Sequence, residues 1–302
     1  MSRKGLIAVI CLLALMAFNR LPASAADRNR DLFISYSLDV KTLYEREGAV
    51  LTVNLYSTEP DIAFAECLNI ASLDKGDFSY ITNLDYSRRA RREVIDGKEY
   101  FVFTLNAYLI CMHDKGSYSL RGAEYEIGVN VPVVYDDPFW GRTRRAKTES
   151  FRVKADPFKF KVKELPRCKA EDSFSGAVGD FQVLTTIPPG DIVLNQEATA
   201  IITLKGRGLL GKDIMPEYLD AFSKDVTLKS VSENRDSYFD GKGLVSVLTL
   251  ECEFIPKSKD AEIGPVSFGF FNPNTGKYEK AVSDSVRINA KSIASQKETI
   301  EV

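Results

Sequence analysis

A glycine-rich segment is the part of this sequence whose residue spacing most resembles a chemical motif. Residues 206–211 read Gly-Arg-Gly-Leu-Leu-Gly and follow an apolar run, while Glu233 lies about where a ribose-binding acid would be expected. A dinucleotide fold needs a helix that begins in the glycine loop. Pro216 would fall inside that helix, where proline costs about 3 kcal/mol. We therefore interpret these glycines as a loop between strands and expect no nucleotide cofactor.

The single histidine limits the catalytic sites that the chain can build. His113 would have to serve any Ser-His-Asp or Cys-His site, and metal sites with several imidazoles are excluded. Cys111 lies two positions away, so a thiol–imidazole pair is one alternative. Asp114 and Lys115 are more typical of an exposed turn. No carboxylate pair is marked for acid–base chemistry, and we expect no enzyme activity and no metal site.

One aromatic segment is a better candidate for binding than for catalysis. Residues 131–142 read VPVVYDDPFWGR and place the only tryptophan and a phenylalanine after an acidic turn. Exposed aromatic side chains are typical anchors of protein interfaces. We predict a partner-binding loop that contains Asp137, Phe139, Trp140 and Arg142. The alternative is that Phe139 and Trp140 fold back and cap the domain.

Two basic clusters lie in the same half of the chain. One covers residues 88–92, and the other consists of Arg142, Arg144 and Arg145. Each is either a docking site for an acidic partner surface or a solvated hairpin tip. The chain as a whole gives no reason to expect nucleic acid or an anionic membrane as a partner.

Alternation of apolar and polar residues with a period of two is the dominant pattern of the chain. It runs through residues 51–55 and 101–105, as in half-buried strands. Asp-Gly pairs at 96–97 and 240–241 favour the tight turns of hairpins. Hairpin thus follows hairpin, which predicts antiparallel sheets and an all-β fold class. One short helix is expected over residues 216–222.

The two halves of the chain predict two domains of similar organisation. Asp-Gly-Lys precedes a strand in each half, and Glu47 and Glu197 each lie just ahead of an apolar run. Units of about 100 to 130 residues with short strands are typical of immunoglobulin-like β-sandwiches, with a jelly roll as the alternative. The predicted boundaries are 26–155 for the first immunoglobulin-like domain, 156–172 for a linker, 173–291 for the second domain and 292–302 for a polar tail.

The first residues predict export. Arg3 and Lys4 precede an apolar run over residues 5–18, and Ala-Ser-Ala at 23–25 offers a signal-peptidase site. The run is shorter than the about 20 apolar residues of a membrane-spanning helix. We interpret residues 1–25 as a cleaved signal peptide and place the mature chain in the periplasm or on the outer face of the envelope. Without the basic residues of the leader, 37 basic residues face 42 acidic ones.

Four cysteines follow the leader, which permits two disulfides in an exported chain. Sequence alone does not choose among the three pairings. The pairs Cys67–Cys111 and Cys168–Cys252 would each stay within one predicted domain. Unpaired buried thiols are the alternative.

Four segments resemble the BatD family of oxygen-tolerance proteins, particularly those of the Bacteroides group. They are VPVVYDDPFWGR at 131–142, FSGAVGDFQV at 174–183, IPPGDIVLN at 187–195 and LECEFIPKSKDAEIGPVSFGFFNP at 250–273. The resemblance covers nearly the whole mature chain and marks no active site. It implies a string of immunoglobulin-like domains and a role at the envelope in aerotolerance or stress survival. Family members commonly continue into further β domains, a transmembrane helix and a cytoplasmic tail, so we interpret this chain as either a short form or a truncated reading frame.

The expected function is that of a non-catalytic scaffold that docks to envelope proteins. The resemblance implies as partners the products of neighbouring genes, which are membrane proteins with von Willebrand A domains and tetratricopeptide-repeat proteins. The alternative is a surface adhesin or glycan-binding module, for which immunoglobulin-like repeats are equally suited.

Overall fold

The computed structural model describes residues 32–73, 77–80, 90–137, 139, 141–169, 173–222, 224–240 and 242–292. Within this part of the chain nearly all regular structure is β-strand, as predicted. The helix expected over 216–222 is a 3-10 turn of three residues, Leu219–Ala221. It ends there because Phe222 is already extended and bridges to Ile263.

Three sheets form the first domain. The first has the order β1, β3, β8, with β6 and β7 each pairing with β8; these strands are β1 Leu32–Leu38, β3 Gly48–Ser57, β6 Asp77–Tyr80, β7 Arg91–Ile95 and β8 Lys98–Cys111. The second has the order β11, β10, β4, with bounds Gly141–Lys154, Glu124–Asp137 and Ile62–Asn69. The third consists of four shorter strands, in the order β2 Leu43–Tyr44, β12 Phe158–Lys163, β9 Gly116–Arg121 and β5 Ser72–Leu73.

This strand order is that of an immunoglobulin-like sandwich. The first sheet corresponds to strands A, B, E and D, and the second to G, F and C. Strands β10 and β11 are therefore the F and G strands. Residues from both sheets share one core, in which Leu51, Tyr125 and Ile127 are fully buried. The prediction of an immunoglobulin-like sandwich is confirmed for this domain.

The predicted linker begins too early in the chain. Strand β12 occupies residues 158–163, where it pairs with β9 antiparallel and with β2 in parallel. Phe160 and Val162 are buried in the first core, and Phe160 stacks on Tyr118 with ring centroids 5.6 Å apart. The segment is a strand because its apolar residues alternate with lysines that face solvent. The connection between the domains therefore starts after Lys163.

Part of the main sheet of the second domain repeats the A, B, E, D strand order of the first domain. Its main sheet runs β15, β16, β14, β13, β18, β19; in chain order the strands are β13 Phe174–Thr186, β14 Ala198–Gly208, β15 Val226–Phe239, β16 Leu244–Pro256, β18 Ser267–Asn272 and β19 Lys277–Val282. The small pair β17 Glu262–Ile263 and β20 Val286–Arg287 lies outside it. Strand β13 begins parallel to β18 and continues antiparallel to β14, and its register shifts at Gly176, whose φ is +95°. A second, separate core fills this domain.

An apolar cluster joins the two domains. Its buried members are Val50 and Ala107 of the first domain and Leu244 of the second. Leu109, Leu209 and Phe239 pack around them. At another contact the Tyr278 hydroxyl donates a hydrogen bond to the Pro166 carbonyl oxygen at 2.7 Å.

Candidate partner-binding surface

The β10–β11 hairpin is the longest continuous pairing in the first domain. Its register runs without a shift from Glu124 opposite Lys154 to Asp137 opposite Gly141. Gly141, the first residue of β11, has a φ of +69°, a left-handed conformation that glycine adopts without strain. Most of segment 131–142 is therefore strand, including Asp137 and Arg142, which were predicted to lie in a loop.

The distal half of this hairpin extends beyond the third strand of its sheet. Strand β4 pairs with β10 only from Glu124 to Val129. Among the described residues, the last backbone hydrogen bond on that side runs from the Asn130 N–H to the Asp61 carbonyl oxygen, at 2.9 Å. Beyond it, residues 131–137 and 141–147 form a two-stranded ribbon, here called the distal ribbon. Seven residues of strand give it a reach of about 24 Å.

Polar contacts across the hairpin hold the ribbon together. The Thr148 hydroxyl donates to Asn130 Oδ1 at 2.7 Å, and Arg142 Nε lies 3.5 Å from Asp136 Oδ1 near the tip. Exposed ion pairs of this kind contribute little, typically below about 1 kcal/mol. The backbone ladder between the strands therefore provides most of the rigidity.

The tip of the ribbon exposes apolar surface. Phe139 is 92 % exposed, Val134 55 % and Tyr135 44 %. The alternative in which Phe139 folds back to cap the domain is therefore wrong. Asp137 ends β10, and Arg142 follows the turn at the start of β11. Pro138 and Trp140 lie outside the described residues, so the structure brings together the strand ends and Phe139 of the predicted site.

The two basic clusters have different surroundings. In the first, residues 88 and 89 lie outside the described part of the chain. Arg91 pairs with Glu93 at 2.9 Å within β7, and the Arg92 guanidinium lies over the Phe101 ring, 5.2 Å from its centroid. In the second cluster Arg144 and Arg145 are both exposed on β11. The second cluster therefore forms one surface with the distal ribbon.

The glycine motif proves to be structural. Gly206 and Gly208 belong to β14, and Gly206 lies opposite Phe181 in the antiparallel pairing with β13. A Cβ atom on Gly206 would lie 2.5 Å from the Phe181 ring, and one on Gly208 would lie 2.9 Å from it. The glycines leave room for this buried aromatic side chain. The prediction of a loop is wrong for the first three motif residues, which are strand.

The remaining chemical candidates are not assembled into a site. His113 is exposed on the bend after β8, whereas Cys111 is buried at the end of that strand. Among the described residues no group of three or more His, Cys, Asp or Glu side chains has the geometry of a metal site.

The four cysteines have different surroundings, and their pairing stays a prediction. Cys67 and Cys168 are exposed, whereas Cys111 and Cys252 are buried. Cys67 lies on β4 of one sheet, and Cys111 ends β8 of the other. Burial raises the pKa of the Cys252 thiol to about 11, which makes it unreactive.

Sequence reasoning missed two carboxyl groups beside the contact between the domains, the buried Glu47 and the partly buried Asp39. Asp39 Oδ1 accepts the Val50 N–H at 2.7 Å, and the backbone of Leu244 in the second domain favours the charged form of Asp39. Glu47 Oε2 accepts the Tyr44 N–H at 2.8 Å. Burial raises the pKa of Asp39 to about 6 and that of Glu47 to about 7. The one signal in the sequence is a carboxylate directly before an apolar strand, and Glu197 carries the same signal yet is exposed.

Comparison with known proteins gives little further guidance. No protein-family model matches the chain, and no curated protein matches it. Among solved structures, the full-length major pilin SpaD from Corynebacterium diphtheriae is similar to it, with 15 % identity over 76 % of this chain and a TM-score of 0.25. The match spans 59 % of the pilin chain, and a TM-score this low carries no argument about function. Within the described residues no helix is long and apolar enough to cross a membrane.

Proposed function

We propose that this protein is a non-catalytic, exported interaction module of the cell envelope that binds a partner protein through its distal ribbon. The observation that carries the proposal is the exposure of Phe139 at the tip of a ribbon that extends past the third strand of its sheet. Exposed aromatic anchors contribute much of the free energy of many protein interfaces. The F–G loop is also a position at which immunoglobulin variable domains carry binding residues.

The resemblance of four segments to the BatD family supports a more specific partner. It favours envelope proteins with von Willebrand A domains, together with tetratricopeptide-repeat proteins, and a role in oxygen tolerance or stress survival. A ribbon about 24 Å long suits such docking because its backbone ladder fixes the strands before binding. Little conformational entropy is then lost when the partner binds.

The test is affinity capture of the tagged full chain from gently crosslinked envelope, followed by mass spectrometry. Phe139→Ala should lower the recovery of the partner at least about tenfold, because an aromatic anchor at the centre of an interface contributes roughly 2 kcal/mol or more. Leu184→Ala is the matched control, since Leu184 is an exposed apolar residue of the second domain, 56 % exposed. It should leave recovery unchanged.

Two results would contradict the proposal. Equal recovery with Phe139→Ala would remove the ribbon tip from the interface. Absence of any captured protein, together with binding of the purified chain to glycans, would favour the alternative of an adhesin or glycan-binding module.

A further inference from the structure

We propose that the outer edge of β11 in the distal ribbon binds an extended, acidic segment of a partner protein as an added β-strand. This inference rests on the proposed function, because it names the chemistry of the partner that the same ribbon binds. It is carried by the position of β11 in its sheet, by one proline opposite it and by the charges along it.

Strand β11 is the terminal strand of its sheet. The order is β11, β10, β4, and among the described residues β11 pairs with β10 alone. The pairing runs the full length from Gly141 to Lys154. Every second N–H and C=O of β11 therefore points away from β10, and such groups can accept a partner strand through main-chain hydrogen bonds.

Pro132 distinguishes the two edges of the distal ribbon, because a proline removes one backbone N–H donor from its edge. It lies in β10 directly opposite Ala146 and has no N–H to donate. A proline is accommodated in a paired strand where its nitrogen faces away from the neighbour, so this is a pair without mutual hydrogen bonds. The open edge of β10 therefore lacks a donor at Pro132. The Ala146 N–H, by the same geometry, points out from the open edge of β11.

The side chains of the β11 edge are strongly basic. Its distal half carries four cationic residues, which are Arg142, Arg144, Arg145 and Lys147. Asp136 lies beside the first at 3.5 Å, and Glu149 beside the last at 3.3 Å. Arg144 and Arg145 have no ion pair within the described residues.

This charge selects among the possible occupants of the edge. A second copy of β11 would place cations opposite cations, which destabilises a strand pair. A partner strand with carboxylates at alternate positions would instead place them beside Arg142 and Arg144, which share one face of β11, or beside Arg145 and Lys147 on the other. The attraction would also speed its association. Basic residues on an edge strand can equally serve only to prevent aggregation. Binding of an acidic peptide distinguishes a partner-binding edge from an edge that is only protected against aggregation.

The probe is a short fluorescent peptide in which glutamate and valine alternate, titrated into the full mature chain and followed by anisotropy. One comparison peptide has lysine in place of glutamate. Two variants separate backbone from charge. Ala146→Pro removes an outward N–H without removing a bond to β10, with Ala146→Thr as its matched control. The second variant is the charge reversal Arg144→Glu with Arg145→Glu. Circular dichroism and thermal unfolding check that each variant is folded.

The proposal predicts binding of the acidic peptide, no binding of the lysine peptide, and a loss of at least about tenfold with either the proline or the charge-reversal variant. Protection of amide hydrogens at residues 142–148 should accompany binding. Unchanged binding by Ala146→Pro would overturn strand addition, because the peptide would then bind through ion pairs only. Absence of acidic-peptide binding to the wild-type chain would overturn the proposal and assign the basic residues to protection of the edge.

These results are distinguishable from failure of the proposed function. If the capture experiment recovers a partner that depends on Phe139 while the acidic peptide does not bind, the ribbon binds its partner by another mode. If the peptide binds and no partner is captured, the edge is a peptide site unrelated to the proposed scaffold role.

Discussion

At the scale of single residues, two glycines of the 206–211 motif make room for an aromatic side chain. The Phe181 ring contacts the positions where Gly206 and Gly208 would carry a Cβ, and it packs edge-on against Phe268 and Phe270 with centroids 5.5 and 5.6 Å away. The same spacing that resembles a nucleotide motif thus serves the second core. Residue types and spacing alone could not separate the two roles, because both need a glycine where another group approaches the backbone.

This role of the glycines can be tested within the motif itself. Gly206→Ala should lower the free energy of unfolding by at least about 2 kcal/mol, because its Cβ would clash with the Asp180 carbonyl oxygen and with Phe181. Gly211→Ala is the matched control, since the nearest atom to its Cβ would be Ile214 Cδ1 at 3.8 Å. It should change stability by less than about 0.5 kcal/mol. Equal effects in urea unfolding would contradict the packing role.

At the scale of strands, alternation predicted most of the sheets, and turn chemistry predicted one hairpin in detail. Asp96 and Gly97 have φ values of +51° and +82° and join Ile95 to Lys98 across a two-residue turn. The predicted linker was wrong because the residue types of that segment were given more weight than its alternation of apolar and polar residues. Prolines and lysines around residues 158–163 suggested a linker, although Phe158, Phe160 and Val162 alternate as a strand should.

The assignment of β12 to the first domain can be tested by mutation. Phe160→Ala should destabilise that domain by about 3–5 kcal/mol, because it removes a buried ring that stacks on Tyr118. Lys161→Ala, at the exposed neighbouring position, should have an effect below about 0.5 kcal/mol. A linker residue would behave like the lysine, so equal and small effects in chemical denaturation would restore the boundary predicted from the sequence.

The candidate surface could be predicted only in part. An aromatic and a basic side chain, Phe139 and Arg142, predicted an interface, and they are close together because they are near neighbours in the sequence. The length of the ribbon could not be predicted from its own sequence. It depends on where β4 ends, and residues 131–147 contain no information on the end of another strand. The two carboxyl groups were hidden for a similar reason, since the surroundings of Asp39 include the backbone of Leu244 and the charge of Arg207, both of the other domain.

At the scale of the whole molecule, the contact between the domains combines an apolar cluster with charge. Arg207 and Asp240 of the second domain form an ion pair at 2.6 Å, and Arg207 also attracts the Asp39 carboxylate. The Asp39 charge also raises the pKa of Glu47, after the larger effect of burial. Burial is the largest effect on both carboxyl groups and raises the pKa of each. Ionisation of either group therefore opposes the folded, joined state.

This arrangement predicts how stability depends on pH. The folded protein holds these two protons more tightly than the unfolded chain, so the stability that they confer is present below about pH 4 and is lost as pH rises through about 6 for Asp39 and about 7 for Glu47. The loss is at most about 3 kcal/mol per carboxyl group.

Glu47→Gln isolates this contribution, since an amide oxygen can still accept the Tyr44 N–H. The difference in unfolding free energy between wild type and Glu47→Gln should fall as pH rises from about 4.5 to about 7. Glu197→Gln, at the exposed counterpart position, should give a profile parallel to wild type. A difference that grows with pH would mean that the Glu47 carboxylate is stabilised by its surroundings.

The central claim, that the distal ribbon is a partner-binding surface, is tested most directly by a photo-crosslinking amino acid placed at position 139 in living cells. The account predicts a discrete adduct with one envelope protein, and no adduct from the same residue placed at position 184 of the second domain. The absence of an adduct at 139, or the same adduct from both positions, would contradict it.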